Sequence, residues 1–139
     1  MRKTNLIFLF LCFSVLAFAK KPRLPPSGVQ GDWMIVTQID AKGNMDDVPA
    51  GSLISFDLAA KSIRVSAGCN TLVGVWEEKK KQAVKKINLA GTKMACDPDL
   101  MKAEDLLAKN MAKVTLYKFN GSMLELYKGK KLLLVLRRA

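Results

Sequence analysis

The chain has 139 residues, 23 basic and 12 acidic side chains, no histidine, and a formal charge of +11. Half of it is apolar and a quarter is charged, which excludes a disordered chain and suits one domain with one core, not two. The missing histidine removes the commonest general base and metal ligand near neutral pH, and with it serine and cysteine triads of the usual kind.

Arg2 and Lys3 precede an apolar run over residues 6–18, and Ala17-Phe18-Ala19 is a small-x-small site. This is the layout of a secretory signal peptide over residues 1–19, cut after Ala19. The run is shorter than the ~20 residues of a membrane span. The alternative is an uncleaved anchor, because Lys20 and Lys21 follow the site. Cys12 sits in mid-run behind Phe10 and Leu11, so it reads as an apolar filler that leaves with the signal. Residues 20–30 hold three of the five prolines and read as an extended linker. The domain is expected over 31–139, in a periplasmic or secreted protein.

Residues 31–39 read as the first strand, with Trp33, Ile35 and Thr37 on one face. A turn follows at 40–44, and Pro49-Ala50-Gly51 breaks the chain again. Residues 53–57 and 62–66 read as strands joined near Ala59-Ala60-Lys61. Gly68-Cys69-Asn70 is a tight bend, since Gly takes positive φ freely and Asn tolerates it. Residues 71–76 and 83–89 form a hairpin that carries Lys79, Lys80, Lys81, Lys85 and Lys86. That patch reads either as a solvated tip that keeps an edge from aggregating or as a site for an anionic partner such as a membrane surface. Nucleic acid is not expected: export keeps it away, and no aromatic platform is interleaved with the lysines.

Asp97-Pro98 starts a helix, with Asp as cap and Pro at the first helical position. Leu100, Ala103, Leu107 and Met111 form its apolar stripe, read as a cover for the open side of the sheet. Residues 113–119 and 122–127 flank Asn120-Gly121, a two-residue type I′ signal. In that register Tyr117 faces Leu124 and Thr115 faces Leu126. Residues 132–136 are unbroken apolar, which fits a central strand buried on both faces. The acidic pairs Asp46-Asp47, Glu77-Glu78, Asp97 with Asp99, and Glu104-Asp105 read as solvated charge, not acid–base machinery. No calcium loop or phosphate loop is present, and no catalytic residue, metal ligand or cofactor is expected. Cys69 and Cys96 are either buried thiols acting as small hydrophobes or a disulfide.

Ser66-Ala67-Gly68-Cys69-Asn70, followed by Thr92-Lys93-Met94-Ala95-Cys96, resembles the META domain, or HslJ-like, family. The tail, with Lys113 to Tyr117, Asn120-Gly121 and Leu124-Glu125-Leu126-Tyr127, is similar to the family's end. The motif residues are Gly68, Cys69, Asn70, Thr92, Met94, Ala95 and Cys96. The lysine-rich hairpin over 77–86 departs from the family's shorter, less charged turn. The order of elements makes the fold α+β, and the resemblance implies a curved antiparallel sheet or incomplete barrel of seven or eight strands with one helix. It also implies a non-enzymatic envelope module linked to stress tolerance and envelope integrity, acting on an envelope protein or an apolar or anionic ligand. A monomer is expected. The resemblance brings the two cysteine segments together, and export leaves Cys69–Cys96 as the one pairing of the mature chain. Two other classes remain: a secreted basic inhibitor or adhesin docking an acidic target through the 79–86 hairpin, and a redox protein using Cys69 and Cys96. Against the second stand the lack of Cys-x-x-Cys and of a histidine to lower a thiol pKa.

Overall fold

The structure is a computed structural model that describes residues 28–139. The expected signal segment, its cleavage site, Cys12 and the arm up to Ser27 lie outside the described residues. Val29 is buried, and its carbonyl accepts a hydrogen bond from Trp33 Nε1 at 2.8 Å. The fold therefore begins two residues before Gly31, because an apolar side chain next to Trp33 gains from burial whatever the prolines upstream do.

The strands are β1 (Gly31–Ile39), β2 (Met45–Asp46), β3 (Leu53–Asp57), β4 (Ser62–Ser66), β5 (Thr71–Val75) and β6 (Leu89–Gly91). Helix α1 (Pro98–Met111) follows, then β7 (Leu116–Asn120), β8 (Met123–Lys128) and β9 (Lys131–Arg138). They build one antiparallel sheet in the order β6-β5-β4-β3-β1-β9-β8-β7, with β2 paired to the end of β1. The architecture is α+β, with nine strands where seven or eight were expected; the two-residue β2 is the addition. The sheet curls without closing into a barrel. Its two halves meet where Ala83 bridges Leu116 and Val84 N donates to Thr115 O at 2.8 Å.

Strand alternation explains the inner face. Ile54 and Phe56 on β3, and Ile63 and Val65 on β4, are buried, while Arg64 and Asp57 are exposed. These join Trp33, Trp76, Leu124, Leu126, Leu134 and Leu136 in one core. The rings of Phe56 and Trp76 meet edge to face at 4.7 Å, a favoured aromatic geometry. β9 lies between β1 and β8, and its adjacent Leu133 and Leu134 are both buried, as a two-faced central strand requires.

Four local expectations are corrected. The register of β1 against β9 shifts between Ile35 and Thr37, so the bulge puts Gln38, not Thr37, in the buried position. The β7–β8 hairpin pairs Tyr117 with Leu126 and Phe119 with Leu124, two residues from the expected register. Asn120 stays in β7, and Gly121, with φ 59°, takes the turn as the first of its two residues; this is the type II′ position for glycine. Strand β7 begins at Leu116 rather than Lys113, after the helix has unwound. Finally, the return strand of the lysine hairpin is Leu89–Gly91, with single bridges at Val84 and Ala83 standing in for the expected 83–89. Its close crossing of β5 needs glycine: a Cβ on Gly74 would lie 2.5 Å from Asn88 O, and one on Gly91 2.4 Å from Thr71 O.

Helix α1 starts as expected, with Asp97 Oδ1 accepting from Asp99 N at 2.9 Å and Pro98 in the first turn. Leu107 and Met111 enter the core; Leu100 and Ala103 are half-buried. Two polar residues pin the helix to β1. Asn110 Nδ2 donates to Ile39 O at 2.9 Å, and Gln38 Nε2 to Ala103 O at 3.4 Å. No helix among the described residues is long and apolar enough to cross a membrane.

Candidate functional site

The bend after β4 is built on Gly68, whose φ of 104° suits glycine. A Cβ there would already touch Pro49 and Leu100 at 3.4 and 3.5 Å. The bend delivers Cys69 and Asn70 to the side of α1. The segment after β6 delivers Thr92, Met94 and Cys96 to the same place. Cys69 and Cys96 are paired as a disulfide, their Cα atoms 6.4 Å apart.

Asn70 is the hub. It is 6 % exposed. Its Oδ1 accepts from Thr92 Oγ1 at 2.9 Å and from Met94 N at 2.8 Å. Its Nδ2 donates to Glu104 Oε2 at 2.8 Å. The other carboxylate oxygen of Glu104 accepts from Cys69 N at 3.1 Å and from Asn70 N. Backbone donors converging on one carboxylate oxygen make strong, charge-assisted bonds. The bend, the strap after β6 and the helix are thus joined by one polar network beside one disulfide.

This overturns one reading of the sequence. Glu104 is not a solvated charge; it is 8 % exposed, while its neighbour Asp105 is exposed. The signal was there: Glu104 lies four residues after Leu100 and three before Leu107, on the apolar stripe itself. Of the motif residues, Gly68, Cys69, Asn70, Thr92, Met94 and Cys96 come together here, and Ala95 lies on the exposed strap between Met94 and Cys96. The network can hold a helix in place. Its acceptors are filled by N–H and O–H groups of the protein itself, so its chemistry is that of a clamp.

The lysine hairpin is a separate region. Lys79 and Lys80 are exposed at its tip, and Lys80 opens a short 3-10 turn, Lys80–Gln82, that contains Lys81. Lys86 is exposed too. Lys85 is paired with Glu77, which also lies 3.8 Å from Lys61. These cations hold the Glu77 carboxyl below its ordinary range, Lys85 first. Beneath the tip, Glu78 accepts from Trp76 Nε1 at 3.2 Å and from Tyr117 Oη at 3.0 Å. With the Val84–Thr115 backbone bond, this braces the hairpin against β7.

The Tyr117 phenol is pushed up to about 12, first by burial and then by the Glu78 hydrogen bond. A raised native pKa means the native state keeps a proton that the unfolded chain loses. The stabilisation is complete below pH 10, the unfolded value, and is lost as pH rises through about 12. Replacing Tyr117 by Phe should therefore flatten the fall of melting temperature over that alkaline window. An unchanged slope would remove Tyr117 from the account.

Among the described residues, no group of three or more His, Cys, Asp and Glu side chains is placed to hold a metal ion. A family model described as META domain matches residues 27–139. None of the curated proteins matches the chain. Among solved structures, the chain is similar to a protein from Burkholderia xenovorans determined by NMR, with a TM-score of 0.61 at 20 % identity. That match covers 80 % of this chain and 83 % of the other. It is also similar to a DUF4847 family protein from Bacteroides vulgatus ATCC 8482, with a TM-score of 0.53 at 17 % identity, covering 80 % and 94 % of the two chains. At these identities the likeness is one of fold.

Proposed function

Because this chain belongs to the META domain family, we propose that it is an exported, non-enzymatic binding module of the cell envelope, with a role in stress tolerance and envelope integrity. The residues with the most reactive chemistry, Cys69, Cys96 and Glu104, are occupied in clamping the helix to the sheet. Binding then falls to the surface. The observation that carries the reading is the bracing of the lysine hairpin by Glu78, Trp76 and Tyr117. It presents Lys79 and Lys80 from a fixed platform, so fewer degrees of freedom are lost on contact with an anionic surface.

The partner of that hairpin is the anionic face of a membrane. Lysines near such a surface contribute about 1 kcal/mol each, so replacing Lys79, Lys80 and Lys81 together by Gln should weaken vesicle binding on the order of 100-fold. Binding to vesicles containing phosphatidylglycerol, measured by sedimentation at two salt concentrations, checks this. The melting temperature should barely move, because exposed charges contribute little to stability. Vesicle binding unaltered in the triple variant would return the patch to plain solvated surface. Loss of binding to an acidic protein, with vesicles unaffected, would favour the inhibitor or adhesin reading of the same hairpin.

A further inference from the structure

A groove of about 710 Å³ runs between α1 and the strap that follows β6. Its floor is Leu72 and Leu89, half-buried and packed on the core. Met94 on the strap and Met101 on the helix wall it, and both are unusually open for large apolar side chains, at 55 % and 43 % exposed. Methionine walls are deformable and adapt to varied apolar partners. One flank of the groove is β6, which ends the strand order of the sheet and pairs with β5 alone. An extended chain can add to such an edge.

The charge around the groove is opposite to that of the protein. Asp105 stands on its rim, one turn beyond Met101. The adjoining furrow shares Met101 and Asp105 and adds Asp40 and Asp46. A third, continuous with it through Asp46 and Lys102, adds Asp47, Asp97 and Asp99. Asp40, Asp46, Glu104 and Asp105 thus border the groove and its adjoining furrow against Lys93, Lys102 and Lys109, and the third furrow, further round α1, adds three more carboxylates, in a protein of net charge +11. An anionic amphiphile is repelled here. A cationic one meets an excess of carboxylates here, in a protein whose net charge is positive.

We propose that the groove binds an extended, cationic amphipathic segment of a partner protein, with apolar side chains seated between Met94 and Met101 and Lys or Arg reaching Asp105 and its neighbours. This site is independent of the lysine hairpin and rests on different residues.

The test uses the disulfide-bonded protein and two fluorescein-labelled ten-residue peptides, one alternating Lys and Leu, the other alternating Glu and Leu. Fluorescence anisotropy reads binding. The Lys–Leu peptide should bind, with affinity falling as salt rises, and the Glu–Leu peptide should not. Asp105→Lys should weaken the Lys–Leu complex about tenfold, and Met101→Ser by several-fold. Both positions are exposed, so melting temperatures should hold. The triple lysine variant of the hairpin should bind the peptide as the parent does, which separates a failure here from a failure of the vesicle reading. Equal binding of the two peptides, or affinity indifferent to both groove substitutions, would overturn the proposal. So would self-association of the protein that the same substitutions abolish, since the occupant would then be a second copy of the chain.

Discussion

Replacing Cys69 by Ser is expected to cost about 3–4 kcal/mol of stability, by the chain-entropy model for a crosslink. The crosslinked residues are 27 apart in sequence, so reduction frees a loop long enough for that entropy to matter. Against the ~5–15 kcal/mol available to a small domain, this is a large share. The melting temperature should fall on the order of 15 °C. The Cys69 backbone N–H that reaches Glu104 survives the substitution, so the loss should come from the crosslink and not from the polar network. Cys96 should become the single titratable thiol. Thiol titration without reductant, before and after unfolding, is the direct check. Two free thiols in the unmodified protein from an oxidising compartment would sink the idea.

The second large effect belongs to Asn70→Ala. Its side chain accepts two hydrogen bonds and donates one to a buried carboxylate. Truncation leaves Glu104 short of a donor and removes the acceptor of Met94 N–H and of Thr92 Oγ1. Leaving a buried carboxylate short of a donor costs about 1–3 kcal/mol, and the orphaned Met94 N–H adds to it. Glu104→Gln should be milder, about 1–3 kcal/mol, since the two backbone donors can still meet its amide oxygen. Its amide nitrogen would then face Asn70 Nδ2, donor against donor. A double-mutant cycle with Glu104→Ala should return a coupling of about 0.5–3 kcal/mol. Additive losses would mean that the two side chains act separately, contrary to the shared network.

The sequence shows why these residues were only partly legible. Strands β1, β3 and β4 are bounded to the residue in the sequence, because alternation marks their interiors, Gly, Pro, Asn and Asp punctuate most of their ends, and the break in pattern at Ala59-Ala60-Lys61 divides β3 from β4. The cap at Asp97-Pro98 was readable for the same reason. β2 was not, since two residues carry no period, and its pairing is dictated by the end of β1. In the β7–β8 hairpin the slip of two residues preserved the faces, so Tyr117, Leu124 and Leu126 still point inward. The bulge near Val36 left no local mark, because a bulge answers to the partner strand. Cys69, Asn70, Thr92, Met94 and Cys96 were visible as motif residues, and the pairing of their segments followed from the family resemblance. Glu104 is the least legible member, because a carboxylate on a helix reads as solvated unless its partners are known, and these lie 34 and 35 residues away.

The position of β9 governs when the domain can form. Arg138 donates to Gln30 O across 108 residues, and β9 supplies the strand between β1 and β8. Until Lys131–Arg138 emerges during synthesis, the two halves of the sheet have no shared ladder and the core lacks Leu133, Leu134 and Leu136. Long-range pairing of this kind makes the sheet wait for β9. Segments that precede β9 in the chain thus gain their shared ladder only when the strand numbered last takes its place between them. Deleting Lys131–Arg138 would therefore remove the centre of the sheet rather than its margin.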